Sequence, residues 1–322
     1  MDIGRIGILT SGGDAPGMNA AVRALVRYGI EAGIEVYGIY KGYEGLINGY
    51  INEMNRRSVS DILQRGGTIL KTARSEEFKT EEGIKKAIDK AKIFGLDLIV
   101  VIGGNGSFKG AEALSENGVP VMCIPCTIDN DLAYTEETIG FDTAINTVLE
   151  AITRIRDTSS AHERTTVIEV MGRECGDLAL YSGLAGGAEV VLLPELIVDM
   201  EYVCRKVMQG VNSGKQHSII VKAEGYPMSI NDIVYEVSER TGRSVKPVVL
   251  SYLQRGGSPS LRDRLLATQC ADVVINLIKM GEYDRAAGII NGKVTDISLV
   301  KALESKRTFN ESMYHSIDIL SK

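Results

Sequence analysis

The chain has 322 residues, 44% of them hydrophobic and 24% charged, which is ordinary for a folded protein of one large or two medium-sized domains. Its formal net charge of −6 argues against a general nucleic-acid-binding protein, because contacts to a phosphate backbone need a basic surface. No apolar run is long enough to cross a bilayer and no signal peptide is recognisable, so we expect a cytoplasmic protein with no membrane partner.

Strands and helices alternate along the first 140 residues, a pattern typical of βαβ units around a parallel sheet. The apolar runs predict strands at "RIGILT", "EVYGIY", "DLIVVI" and "VPVMCI". Helical periodicity predicts helices at "MNAAVRALVRYGIEAG", "EEGIKKAIDKAKIFG" and "FKGAEALSENG". The same alternation continues to the last long helix, "DRLLATQCADVVINLIKMG". The sequence therefore predicts an α/β protein of two Rossmann-like lobes with mostly parallel sheets, divided near residue 140.

Two glycine-rich connections, "TSGGDAPGMNA" and "IGGNGS", each join a predicted strand to a predicted helix. Small residues let backbone N–H groups approach an anion, and the N-terminus of the following helix favours negative charge. The connections lack the P-loop pattern, and the first lacks the dinucleotide pattern, so a nicotinamide enzyme is disfavoured. Together they indicate a polyphosphate lying between them. Two ordinary tight turns are the alternative interpretation.

The segment "PCTIDND" places Thr127, Asp129 and Asp131 directly after the strand "VPVMCI". Ligands of open α/β sheets bind outside the carboxyl ends of strands, although a polar turn would look similar. A carboxylate beside phosphate-binding loops can take a proton from an attacking hydroxyl group, and its neighbour can hold Mg²⁺. Arg74 and Arg173 also end segments, and guanidinium groups suit the charge on a transferring phosphoryl group.

Taken together, several motifs make the chain resemble the bacterial-type ATP-dependent 6-phosphofructokinases over essentially its whole length. The motifs are "GILTSGGDAPGMNAA", "GGNGS", "TIDND", "TIGFDTA", "RDTSS", "EVMGRECGDLA" and "QRGGSP". The resemblance implies the phosphofructokinase fold, with an ATP-binding lobe of residues 1–140 with 254–304 and a sugar-phosphate-binding lobe of residues 141–253 with 305–322. It also implies a glycolytic homotetramer that uses ATP and Mg²⁺ to phosphorylate fructose 6-phosphate at its 1-hydroxyl group, giving fructose 1,6-bisphosphate and ADP.

The resemblance also implies a role for individual residues. The implied catalytic residues are Asp129 as general base, Thr127, Arg74 and Arg173. The residues implied to contact ATP are Gly12, Tyr43, Arg74, Ser75, Asn105, Gly106 and Ser107, and those implied to hold Mg²⁺ are Asn105 and Asp131. The residues implied to hold the sugar phosphate are Thr127, Ile128, Asp129, Arg164 from a neighbouring subunit, Met171, Gly172, Arg173, Glu224, Lys246, Tyr252 and Arg255. The residues implied to bind ADP or phosphoenolpyruvate as effectors are Arg23, Arg27, Arg56, Arg156, Gly187, Glu189, Lys215 and His217.

The chain departs from the family pattern inside these pockets. Asn105 replaces an Asp that helps to hold Mg²⁺, so weaker Mg²⁺ binding is expected. Cys126 and Gly106 lack the Lys and Asp that mark pyrophosphate-dependent enzymes, so ATP is favoured as the donor. Lys246 replaces an Arg and Tyr252 replaces a His in the sugar-phosphate pocket. Two alternatives follow: a kinase for a different sugar phosphate, or a catalytically weak regulatory paralogue.

Overall fold

The computed structural model describes residues 3–321. The strands are β1 (Arg5–Thr10), β2 (Glu35–Ile39), β3 (Ile51–Met54), β4 (Leu98–Gly103), β5 (Val121–Pro125), β6 (Thr165–Val170), β7 (Val190–Leu192), β8 (Ser218–Ala223), β9 (Val245–Val249), β10 (Arg285–Ile290) and β11 (Lys293–Ser298). The α-helices are α1 (Met18–Glu31), α2 (Gly42–Asn48), α3 (Glu81–Ile93), α4 (Asn105–Glu116), α5 (Phe141–Ala161), α6 (Asp177–Ala185), α7 (Met200–Asn212), α8 (Ile230–Thr241), α9 (Leu261–Lys279), α10 (Leu299–Glu304) and α11 (Glu311–Leu320). None of the described helices is long and apolar enough to span a bilayer.

Residue contacts divide the chain into two compact units, each of which has its own sheet. Unit 1 comprises the chain up to Ile128, Leu132–Thr143 and Arg255–Arg307. Unit 2 comprises Asp129–Asp131, Ala144–Gln254 and the chain from Thr308 onward. The chain therefore passes from unit 1 to unit 2 within the segment "TIDND".

Unit 1 contains a seven-stranded sheet in the order β11-β10-β5-β4-β1-β2-β3. Strands β10, β5, β4, β1 and β2 run parallel, whereas the edge strands β3 and β11 run antiparallel to their neighbours. Every residue of β4 is buried, as expected for a central strand covered on both faces. Successive side chains of a strand point to opposite faces, so Leu9 packs among residues of α3 and α4. On the other face, Gly29 of α1 approaches Ile6 and Val36.

Unit 2 contains a four-stranded sheet in the order β7-β8-β6-β9, and all of its strand pairs are parallel. Its core joins the apolar faces of α7 and α8 to strand residues such as Val167 and Ile220. Strand β9 lies at the edge of this sheet and contains Pro247. Because proline cannot donate a ladder hydrogen bond, an edge position is the one expected for it.

The predicted fold class, α/β with mostly parallel sheets, is confirmed by these two sheets. One boundary differs near the second glycine loop. The helix predicted to begin at Phe108 begins at Asn105, because the N–H groups of Ser107 and Phe108 both donate to the carbonyl of Gly104 (3.0 and 3.1 Å). Asn105, Gly106 and Ser107 therefore form the first turn of α4 instead of a loop before it.

Candidate active site

The connections after β1 and β4 lie against each other in unit 1. The N–H of Ser11 donates to the carbonyl of Ile102 at 3.0 Å. A Cβ at Gly103 would lie 2.4 Å from Ser107 Oγ and 2.6 Å from the Ser11 carbonyl oxygen, so no residue larger than glycine fits there. Gly12 and Gly106 are exposed beside this contact. The two glycine-rich connections thus form one surface, as expected for a site that holds a polyphosphate.

The buried Tyr43 side chain contacts the first turn of α4, which forms part of this surface. Its hydroxyl group donates to the carbonyl of Ser107 at 2.6 Å, and its ring stacks on Phe78 with the ring centroids 4.1 Å apart. Burial raises the pKa of Tyr43 well above its ordinary value, so the phenol stays neutral. Tyr43 was expected to contact ATP, and in this structure its side chain holds the first turn of α4.

The segment that carries Arg74 is anchored on β1 and α2. Thr10 Oγ1 donates to the carbonyl of Lys71 at 2.9 Å. Ser75 Oγ donates to Glu44 Oε2 at 2.7 Å. Arg74 itself is exposed between these two anchors. Its guanidinium group is therefore presented from a restrained main chain.

Thr127 lies beside the second glycine-rich connection, since a Cβ at Gly104 would lie 3.4 Å from the Thr127 Cβ. The Thr127 main chain is held from both sides by the segment before α5. Its N–H donates to the carbonyl of Ile139 at 3.0 Å, and its carbonyl accepts from Thr138 Oγ1 at 2.7 Å. Unit 1 therefore brings Gly12, Gly106 and Thr127 to one edge of its sheet, and we call these residues with Asn105 and Ser107 the candidate nucleotide site.

The segment before α5 is itself held by Asp263. The sequence analysis did not single out this residue. Its buried carboxylate accepts from the N–H of Gly140 at 2.8 Å, from the N–H of Thr143 at 2.9 Å and from the Thr143 hydroxyl group. Burial raises the pKa of Asp263. The signal in the sequence was "SLRD", a helix-capping pattern in which Ser260 Oγ accepts from the Asp263 N–H at 3.2 Å.

In unit 2, Asn130 is the residue between Asp129 and Asp131. It adopts a left-handed conformation with φ of 52°, and its Nδ2 donates to Asp177 Oδ2 in the first turn of α6 at 2.9 Å. The Asp129 side chain is buried, whereas Asp131 is half-buried. The acids of "TIDND" therefore flank a residue that is tied to α6.

The connections after β6, β8 and β9 meet in unit 2. The N–H of Arg173 donates to Glu224 Oε1 at 2.7 Å, and Arg173 has a left-handed φ of 55°. The N–H of Met171 donates to Oε1 of the fully buried Gln254 at 3.1 Å, and Gln254 Nε2 donates to the carbonyl of Ser251 at 2.9 Å. Met171, Gly172, Arg173 and Glu224 are thus brought together, and we call them the candidate sugar-phosphate site. The sequence analysis missed Gln254.

Two other expected sugar-phosphate residues lie at the opposite end of the same sheet. Arg164 precedes β6, and Lys246 is paired with Thr166 near the start of β9. Met171 follows the last residue of β6, and the six residues of this strand span about 20 Å. One chain therefore does not bring Arg164 or Lys246 to Glu224. Tyr252 is 73% exposed beyond β9, and Arg255 lies in unit 1, where a Cβ at Gly13 would lie 3.3 Å from its guanidinium carbon.

The expected effector residues of unit 2 form one cluster. Arg156 Nη1 donates to His217 Nε2 at 3.1 Å, and Arg156 Nη2 donates to the carbonyl of Gly187 at 2.9 Å. Lys215 Nζ donates to Glu189 Oε1 at 3.2 Å. Burial and the charge of Arg156 lower the pKa of His217, so its ring is neutral at pH 7.

The expected effector residues of unit 1 lie on and beside α1. Arg23 and Arg27 are one helical turn apart, and burial together with the charge of Arg27 lowers the pKa of Arg23. Arg56 forms an ion pair with Glu31. Two guanidinium groups one helical turn apart suit an anionic ligand.

Residues 3–321 contain no group of three or more His, Cys, Asp or Glu residues that could hold a metal ion alone. Mg²⁺ in phosphoryl-transfer sites takes one or two carboxylates, substrate phosphates and water. The donor set expected here, the Asp131 carboxylate and the Asn105 amide oxygen, fits that kind of site. It does not fit a metal held entirely by the protein.

Comparison with known proteins agrees with this geometry. The family model described as phosphofructokinase matches residues 5–278. The "ATP-dependent 6-phosphofructokinase" of Clostridium tetani is 53% identical over 317 residues, which is 98% of this chain and 99% of that protein. Phosphofructokinase structures from Saccharomyces cerevisiae and Pichia pastoris, the second in the T-state, are each 32% identical, with TM-scores of 0.88 and 0.90. They cover 98% and 100% of this chain, which spans only 47% and 39% of theirs. The resemblance found in the sequence is confirmed, and the chain belongs to the phosphofructokinase family.

Proposed function

We propose that the protein is an ATP-dependent 6-phosphofructokinase that acts in glycolysis. The 1-hydroxyl oxygen of fructose 6-phosphate attacks the γ-phosphorus of ATP. The bond from that phosphorus to the bridging oxygen breaks, and fructose 1,6-bisphosphate and ADP leave. The observation that carries the proposal is the junction of the two glycine-rich connections with Thr127 at one sheet edge. The full-length similarity to enzymes of this name supports the choice of substrates.

Unit 1 would bind the nucleotide. The backbone N–H groups of Gly12, after β1, and of Gly106, in the first turn of α4, would hold the phosphates, since a helix N-terminus favours anions. Ser107, in the same turn, would also contact the nucleotide. Ser75 would hold the segment that carries Arg74, whose guanidinium group would stabilise the charge on the transferring phosphoryl group. We therefore assign ATP binding to unit 1, close to residues 1–140 with 254–304, and sugar-phosphate binding to unit 2, close to residues 141–253 with 305–322.

Asp129 would act as the general base that accepts the proton of the 1-hydroxyl group. A buried carboxylate held beside a rigid turn is suited to this role because its position varies little. Thr127 and Arg173 would hold the reacting groups. Ile128, between Thr127 and Asp129, is buried and would fix the spacing of these two side chains.

The sugar phosphate would be held by two subunits. Met171, Gly172, Arg173 and Glu224 would contact the sugar, with Glu224 accepting from its hydroxyl groups. Arg164 and Lys246 would come from a neighbouring copy, because they lie at the far end of the sheet from Glu224 in their own chain. This division supports an assembly of at least two copies, and the family resemblance implies a homotetramer. Tyr252 and Arg255 complete the proposed set.

Asn105 and Asp131 would hold Mg²⁺ together with the ATP phosphates and water. The ion would neutralise charge on the β- and γ-phosphates. Asn105 offers a neutral amide oxygen where a carboxylate would add a negative charge, so we propose weak Mg²⁺ binding.

The cluster around Arg156 in unit 2 and the cluster around Arg23 in unit 1 would each contribute to binding ADP or phosphoenolpyruvate as effectors. Both ligands are anionic, and each cluster contains arginine guanidinium groups that can bind an anion. The neutral His217 ring would accept from Arg156 and so orient its guanidinium group.

The proposed function is tested by incubating the purified protein with ATP, Mg²⁺ and one sugar phosphate at a time. Fructose 6-phosphate, glucose 6-phosphate, tagatose 6-phosphate and sedoheptulose 7-phosphate would be compared by ADP release, and the product would be identified by ³¹P NMR. We expect fructose 1,6-bisphosphate to form with the highest kcat/KM. A higher value with another acceptor, or no ADP release with any of them at millimolar Mg²⁺, would refute the proposal.

A further inference from the structure

A fully buried lysine lies beneath the candidate sugar-phosphate site. Lys222 is 2% exposed in β8, whose other residues are also all buried. In the parallel sheet it is paired in register with Glu169 of β6, and its Nζ lies 2.7 Å from Glu169 Oε2. This ion pair has no part in the proposed chemistry.

The other two N–H donors of the Lys222 ammonium group point to main-chain carbonyl oxygens. An ammonium group has three donors, and here one meets Glu169. The others meet the carbonyls of Ala223 at 3.1 Å and of Glu224 at 3.4 Å. The group therefore binds the last residue of β8 and the first residue beyond it.

Burying the ion pair of Lys222 and Glu169 is energetically costly, so a lysine in this strand needs a reason. Removing an ammonium ion and a carboxylate from water costs several kcal/mol for each ion, and a pair of this kind is often no more stabilising than apolar side chains of similar volume. Methionine would fill the same space in this buried strand at no such cost. Core packing alone therefore does not explain a lysine at this position, whereas its contacts to Ala223 and Glu224 do.

Glu224 is the residue that these contacts restrain. Its N–H donates to the carbonyl of Val170 at 2.8 Å, and its carboxylate accepts from the N–H of Arg173 at 2.7 Å. The next residue, Gly225, is so close to Arg173 that a Cβ there would lie 2.1 Å from the Arg173 carbonyl oxygen. A small movement of the main chain at Ala223 and Glu224 would therefore displace both Glu224 and Arg173.

We propose that Lys222 is a positioning residue for sugar-phosphate binding, which acts by fixing the main chain of Ala223 and Glu224 while Glu169 neutralises its charge. The inference rests on the proposed role of Glu224 in holding the sugar. Lys222 itself does not touch the substrate. Its removal should weaken sugar-phosphate binding more than nucleotide binding, because the residues it restrains belong to unit 2.

The test compares three variants with the parent protein by steady-state kinetics and thermal unfolding. Lys222→Met removes the ammonium group and keeps the side-chain volume. The double variant Glu169→Gln with Lys222→Met also removes the partner charge, so that no unpaired carboxylate is left. Lys206→Met is the matched control, because it removes a lysine paired with Asp318 at 2.8 Å elsewhere in unit 2.

Lys222→Met should raise the KM for fructose 6-phosphate about tenfold, the scale of one lost charge-assisted hydrogen bond, and leave the KM for ATP within about twofold. The double variant should regain thermal stability and keep the raised KM. The control should lose stability at an unchanged KM. A parental KM for fructose 6-phosphate in the double variant, or equal rises in both KM values, would overturn the inference. No turnover by the parent would instead refute the proposed function.

Discussion

At the scale of single residues, the neutral side chain of Asn105 distinguishes this chain from the family pattern, which has an aspartate at this position. Asn105 begins α4, next to the glycines of the candidate nucleotide site. An amide at this position can still donate or accept hydrogen bonds, but it cannot attract a cation as a carboxylate does. We therefore expect this residue to set how much Mg²⁺ the proposed reaction needs.

Asn105→Asp should lower the Mg²⁺ concentration needed for half-maximal turnover by about tenfold, because the added charge lies beside the proposed ion. The measurement is ADP release across a Mg²⁺ titration at fixed ATP. Asn117→Asp, at the other end of the same helix, makes the same charge change far from the glycines and serves as the control. Equal responses of the two variants would show that Asn105 does not face the metal.

The residues expected to touch substrate were assigned through the resemblance to the family, and these roles stay predictions. The buried residues that hold their main chain could not be assigned in this way. Gln254, Asp263 and Lys222 each bond to a partner 53 to 123 positions away in the chain, as in the contact of Asp263 with Gly140. A buried polar residue in a predicted helix or strand has no signature that names its partner, and only the fold supplies it.

At the scale of elements, helix α5 begins where it does because Asp263 of α9 holds its first turn. The carboxylate accepts from two backbone N–H groups and one hydroxyl group at Gly140 and Thr143. The neighbouring residues Thr138 and Ile139 bind the main chain of Thr127. One buried acid thus links the start of a helix to the position of Thr127, a residue proposed to be catalytic.

Asp263→Ala should lower the free energy of unfolding by about 3 kcal/mol, because it leaves several buried donors without an acceptor. Urea unfolding would measure the loss. Asp199→Ala removes a cap from the more exposed first turn of α7, where Asp199 accepts from the Tyr202 N–H, and should cost about 1 kcal/mol. The account fails if Asp263→Ala costs no more than this control.

Among the elements, those with strong periodicity were predictable and the short ones were not. The parallel strands of unit 1 and the helices α1, α3 and α9 follow the predicted order closely. The prediction omitted α2, β3, β11, α10 and α11, most of which are short elements whose apolar residues are too few to show a period. Their positions depend on packing against the long elements.

At the scale of the whole molecule, the edge of the sheet in unit 2 leaves apolar side chains uncovered in a single chain. Val249, Tyr252 and Leu253 at and beyond the end of β9 are all more than half exposed. Lys246, which the proposal assigns to a neighbouring subunit's site, lies on the same strand. Exposed apolar groups beside such a residue fit an interface between copies of the chain.

We expect the protein to have a mass in solution of four chains of 34.9 kDa each, measured by sedimentation equilibrium. Val249→Asp should shift the mass toward smaller species, because a charge would be buried in the interface. Ile93→Asp is the control, since Ile93 is an exposed apolar residue on α3 of unit 1. A parent protein that is a monomer at micromolar concentration and fully active would contradict the shared-site proposal.

The most direct test of the central claim is the kcat of Asp129→Asn with ATP and fructose 6-phosphate. The amide keeps the shape of the side chain but cannot accept the hydroxyl proton, so kcat should fall by at least about 100-fold while the KM for ATP stays near that of the parent. Asp272→Asn, at an exposed position on α9, should leave both constants unchanged. If Asp129→Asn keeps kcat within a few-fold of the parent, Asp129 is not the base and the proposed mechanism is wrong.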